Sequence, residues 1–125
     1  MNALRTLHTA LVPGGLVVDT QPMSAHPPVE GESGELGTLD LREWARTIEL
    51  IDGQFEATIR ERLFAVREQR SFVVTEVFDD AAEMLTIVRD WQGTRIPTEL
   101  EERVARAHGA VRVHQDIRLR LLRAL

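Results

Sequence analysis

The stretch 41-LREWARTIELIDGQFEATIRERLFAVREQ-69 decides the fold class, because its apolar residues repeat at helical spacing. They fall at Leu41, Trp44, Ile48, Ile51, Phe55, Ile59, Leu63 and Val66, in steps of three and four that keep a single face. Arg42, Arg46, Glu49, Asp52, Glu56, Arg60 and Arg67 stand off that face. The pattern predicts one long helix over 41–69. Asp40 is placed to cap its first turn, and Glu43 to return a bond to the Asp40 amide. Unbroken, such a helix runs about 43 Å, against about 30 Å for the diameter of a small domain. It therefore either breaks near Gly53 or projects and packs on a second copy of the chain. Its stripe is then either plain core or a dimer seam.

With 125 residues, the chain has room for one core, and 1–125 is read as a single domain. The hydrophobic share of 43% and charged share of 28% are those of an ordinary soluble globule. A net charge of −5 argues against a nucleic-acid partner, which calls for a basic face. All 15 basic residues are Arg, a bias of base composition more than of function. With no Cys there is neither a disulfide nor a thiolate zinc site. No apolar run reaches a membrane span and no leader pattern is visible, so the expected location is the cytoplasm, without membrane contact.

Downstream of the long segment, Ser71–Phe78 (SFVVTEVF) is rich in β-branched and aromatic residues and predicts a strand. Asp80 with Glu83 is a capping-box pattern opening a helix through Trp91, and Thr98 with Glu101 opens another that Gly109 ends. Val111 to Leu122 alternates apolar with polar residues, which favours a strand, although a helix also fits. Its arginine row reads as a solvated face near acidic neighbours such as Glu76, or else as a surface for an anionic ligand.

Upstream, Asn2 to Val12 predicts a short helix with Asn2 as its cap, stopped by Pro13-Gly14-Gly15. Leu16 to Thr20 follows as an apolar strand of the kind covered on both faces. Between the two apolar blocks, residues 21–39 form a Pro-, Gly- and Ser-rich insertion. Pro28–Glu30 and Glu35–Leu39 are placed to pair as a hairpin around Gly31–Gly34. This segment reads either as a surface flap or as a lid over a pocket holding Asp19, Gln21 and His26, the weak candidates for substrate binding.

The run ALRTLHTAL, VPGG, LVVDTQP resembles the fourth crossover helix and fifth strand of class I S-adenosylmethionine-dependent methyltransferases. The remainder is compatible with the C-terminal half of that family, an insertion followed by helices and two antiparallel strands. The resemblance implies an α/β (α+β) fold, a small mixed sheet with flanking helices equal to half of a methyltransferase-like Rossmann domain. It also implies a loss. The acidic Gly-rich loop and the acidic residue that hold the cofactor in the family precede this region. Gly14-Gly15 does not replace them, because it precedes a strand instead of opening a helix.

No catalytic motif is present. His8, His26, His108 and His114 lack helical metal-site spacing, and there is no GxSxG or GxxxxGK[ST]. The expectation is a non-catalytic module derived from a methyltransferase, serving interaction or small-molecule binding, with no cofactor and no metal. Half a sheet leaves an open edge at Leu16–Thr20, so a homodimer through that edge and the long helix is expected. The alternative is part of an S-adenosylmethionine-dependent methyltransferase, completed by a partner chain or by upstream sequence.

Overall fold

The computed structural model describes residues 3–125, so Asn2 as a helix cap lies outside the described residues. The chain runs α1 (Ala3–Ala10), β1 (Leu16–Pro22), β2 (Pro28–Gly31), β3 (Gly34–Thr38), α2 (Arg42–Arg60), β4 (Phe64–Phe78), α3 (Ala81–Arg89), α4 (Thr98–Arg106) and β5 (Val111–Ala124). The fold is α+β, five strands in one open sheet with helices against it. β5 is the hub. One of its edges pairs along its whole length with β4. Its other edge pairs first with β2, through Val29 opposite Val113, and then with β1, from Pro22 opposite Ile117 to Leu16 opposite Arg123. Every pairing is antiparallel. The small mixed sheet expected from the sequence is therefore antiparallel throughout; β1 and β4, on either side of β5, run in the same direction without pairing with one another.

The long segment divides differently from its periodicity. α2 is continuous through Gly53 but stops at Arg60, about 28 Å of helix. Arg62 then takes φ 59, a left-handed residue that turns the chain. Leu63 and Val66, which matched the helical stripe, instead lead into and lie within β4. That strand begins seven residues before the predicted Ser71, at Phe64, and carries a bulge between Val66 and Glu68. The predicted capping box of α2 is absent as well. Asp40 Oδ1 accepts from the Arg42 amide at 3.0 Å, while the Asp40 amide donates to the Arg95 carbonyl at 2.9 Å. Pro97, not Thr98, precedes α4, without a side-chain cap.

At α3 the Asp80 cap forms, and the return bond of Glu83 goes to the amide one residue before the cap. Asp80 Oδ1 accepts from the Glu83 amide at 2.8 Å, and Glu83 Oε2 accepts from the Asp79 amide at 3.0 Å. Asp80→Ala is expected to cost about 1 kcal/mol, read as a lower urea midpoint at unchanged slope.

Because side chains alternate along a strand, β5 shows how the helices cover the sheet. Near its start Val111 and Val113 are fully buried, in a cluster with Phe78, Met84, Val88, Leu100 and Val104 from β4, α3 and α4. Near its end the opposite face is buried. Leu122 and Ala124 join Leu4, Phe55 and Phe64, from α1, α2 and β4. Cover is therefore diagonal, with each face roofed over half its length. α2 spans the two halves, giving Leu41 and Trp44 at its start to the first cluster and Ile51 and Phe55 to the second.

Three expectations change in consequence. The stripe of α2 is core and not a seam, since Ile48, Phe55 and Thr58 are buried and only Leu50 and Ile59 among its large apolar residues are exposed. β1 is not covered on both faces. Val17 is half-buried, but Leu16 is 55% and Val18 62% exposed. The 28–38 hairpin is also no flap. β2 joins the sheet, with Pro27, Val29 and Leu39 fully buried around it.

Candidate functional site

Three places in the fold gather chemistry. The first lies beneath α2, on the face of β1 and β5 that the helix covers. Asp19, Gln21, Arg118 and Arg120 share that face through the register Asp19–Arg120 and Gln21–Arg118. Arg118 donates twice to Asp52 of α2, at 2.7 and 3.2 Å. Arg120 donates to Asp52 at 2.8 Å and to Asp19 at 3.4 Å, and its guanidinium carbon sits 4.3 Å from the centre of the Phe55 ring. Both arginines are 8% exposed, so the solvated arginine row expected from the alternation is half wrong. The Arg118 guanidinium beside Asp52 holds that carboxyl below the usual carboxylate range, with burial working against it and the Arg120 charge adding to it. The site is neutral, two acids against two bases, and fits a structural clamp. Nε of each arginine is buried with no partner among the described residues.

The structure brings Asp19 and Gln21 together, Gln21 Nε2 donating to Asp19 Oδ1 at 2.8 Å. It does not bring His26 to them. His26 is exposed beside the turn at Ser24, near Asp40, whose carboxyl is held down to about 2 chiefly by the Arg42 side chain. The predicted pocket of Asp19, Gln21 and His26 is therefore not formed, and the first two are spent on the clamp.

The second place is a cavity of about 340 Å³ on the opposite face, where β1 ends. Pro22, Gln115 and Glu76 supply its sheet side, and Leu41, Trp44 and Trp91 its walls. Two contacts set the walls. Trp91 lies 6.3 Å from the Phe78 ring, tilted by 49°. Gly93, at φ 70, lets the turn after α3 close on α2, since a Cβ there would stand 3.1 Å from Trp44 Cβ. Trp44 Nε1 is buried without a hydrogen-bond partner among the described residues. The sequence put Trp44 on the apolar face of the long segment and Trp91 at the end of a later helix. It carried no sign that the ends of two separate helices bring them to one cavity.

The third place continues from that cavity along the same face. Ile117, Leu119 and Leu121 of β5 are half-buried, Leu16 and Val18 of β1 are exposed, and Phe72 of β4 is 43% exposed. The register sets Val18 opposite Leu121 and Phe72 opposite Ile117, so these residues form one surface. Among the described residues no helix covers it, and β1 has no strand on its outer edge.

Among the described residues no group of three His, Asp or Glu side chains is placed to hold a metal ion. No described helix is long and apolar enough to cross a membrane. No protein-family profile matches the chain, and neither does any curated protein or solved structure.

Proposed function

We propose that the chain is a non-catalytic interaction module built on a methyltransferase-like scaffold, and that it works as a homodimer. The observation that carries this is the bare β1: an unpaired edge whose Leu16 and Val18 are more than half exposed, continuous with the apolar surface of β5. An open edge is a template for strand pairing. An antiparallel edge meets its own copy across a two-fold axis, so one surface serves both partners. Leu16–Val18 carry no charge of their own, and Asp19 turns to the covered face and bonds Arg120. The other edge, β4, is guarded over its first half by the bulge and by Arg67, Glu68 and Arg70. Docking of β1 on β1 makes one continuous sheet and covers the apolar surface beside it.

Light scattering on the eluted protein is expected to give twice the 14.1 kDa chain mass. Val18→Lys, at a position 62% exposed, is expected to give the single chain mass with the fold intact by circular dichroism. A wild-type monomer at high micromolar concentration sinks the reading.

A second reading is favoured by the strand arrangement. β1 and β4 run parallel with β5 antiparallel between them, compatible with the fifth strand and two terminal strands of a class I methyltransferase. In that case the bare surface receives the rest of a methyltransferase domain, from a partner chain or from upstream sequence. Calorimetry of the chain by itself with S-adenosylmethionine is expected to show no heat of binding. Saturable heat favours the enzyme reading.

A further inference from the structure

We propose that the outer edge of β4 over Phe72–Val77 is a docking site for an extended segment of a partner protein, rich in β-branched residues and basic at its N-terminal end. The proposal goes beyond the dimer at β1 and stands whether or not the chain dimerises.

Among the described residues β4 pairs with β5 alone, so no strand lies along its outer edge. The two halves of that edge differ. From Val66 to Arg70 the bulge, Arg67, Glu68 and Arg70 guard it. From Ser71 to Val77 the one charge is Glu76, and every residue but Val74 is exposed. Side chains on both faces are open. Val73 and Val77, 61% and 58% exposed, flank Thr75 on one face, and Phe72, 43% exposed, stands on the other. The β-branched run Val73-Val74-Thr75 keeps the backbone extended. Such an edge can hold an incoming strand by main-chain hydrogen bonds, while alternate side chains set its preference.

Charge and length identify the occupant. From Ser71 to Glu83 the chain carries Glu76, Asp79, Asp80 and Glu83 and no basic residue. Asp80 and Glu83 are fixed at this end of the edge by their bonds to the first amides around α3. Arg112 of β5, opposite Val77, lies 3.9 Å from Glu30 on the far side of β5. A segment that joins antiparallel, as every strand of this sheet does, begins at the acidic end, so its first residue is basic. The open stretch runs about 20 Å, the length of one short strand. A second copy of β4 fits it badly. With Phe72 of one copy opposite Val77 of the other, each bulge falls beside the first turn of the other's α3, where β4 has left the sheet.

The test uses the full chain and the peptide acetyl-Arg-Val-Thr-Val-Thr-Val-amide. Calorimetry is expected to show saturable binding with a dissociation constant of about 100 μM or tighter, the range of a short transient contact. Amides within Phe72–Val77 are expected to gain protection from hydrogen exchange. The same peptide with Glu in place of its Arg is expected to bind at least fivefold more weakly. Two further peptides carry N-methyl groups, one at its valines and one at its threonines. One of them is expected to bind and the other not, because a single alternating set of amides faces β4. Val73→Lys, which guards the edge at an exposed position, is expected to weaken binding at least tenfold with an unchanged urea midpoint. Val18→Lys, on the β1 edge, is expected to leave it unchanged. No saturable heat overturns the proposal, and so do equal binding by both methylated peptides and loss of binding in Val18→Lys alone. A Val18→Lys chain of twice the single mass that Val73→Lys reduces makes the occupant a second copy of β4, and overturns it as well.

Discussion

Arg118→Ala is expected to cost about 3–5 kcal/mol, because it leaves acids in a covered site short of a partner. The Arg118 side chain is 10% exposed, and its two bonds to Asp52 join α2 to the hub strand. Asp52 keeps 31% exposure, so water relieves part of the loss and the lower end of the range is expected. With domain stabilities of about 5–15 kcal/mol, that is a large fraction of the total. Urea unfolding measures it, and a loss under about 1 kcal/mol shows the pair behaving as a surface bridge. The companion is Arg118→Met with Asp52→Leu, which removes charge on both sides and is expected to lie far closer to wild type. The same clamp sets an acid limit. The Asp52 carboxyl titrates below its unfolded value, so its contribution is complete above a pH of about 3.9 and fades as pH falls through the folded value. In Arg118→Ala that part of the acid sensitivity is expected to shrink.

Phe64→Ala is expected to cost a similar amount, about 3–5 kcal/mol, by a different mechanism. Phe64 is 1% exposed and packs with Leu4, Phe55 and Leu122, so it joins α1, α2 and β5. Its ring meets His8 of α1 edge-on at 5.3 Å. Truncation leaves a void that four elements line and that none can fill without moving the others. The measurement is again the urea midpoint, with loss of α1 protection in hydrogen exchange as its local sign. A cost below about 1.5 kcal/mol shows that the cluster collapses onto the gap.

The helices of this chain were legible in outline, and so was the period-two strand at Val111–Ala124. What misled was coincidence of pattern. Leu63 and Val66 fall on the helical stripe of α2, and the charged run Arg67–Arg70 looks like helix surface, yet Leu63 leads into a strand and Val66 and the charged run lie within it. Only Arg62, in a left-handed conformation few non-glycine residues take, marks the boundary, and no residue type announces that. Asp19 and Gln21 were expected together and are, since residues two apart on a strand share a face. His26 sits beyond the strand end, where alternation no longer places a side chain. Arg118 and Arg120 read as solvated because apolar residues alternate with them. β5, however, changes its covered face along its length, and the partner that buries them, Asp52, lies on a different element.

β5 follows every other element in sequence and pairs with three of the four other strands. During synthesis, then, β1 and β4 emerge from the ribosome with no strand to bond, and only the β2–β3 hairpin closes early. Assembly waits for the last segment and for contacts between distant residues, which makes it slow. Over that interval the nascent polypeptide shows Phe64 and Phe78, later buried with Leu122 and Val111 of β5, to its surroundings.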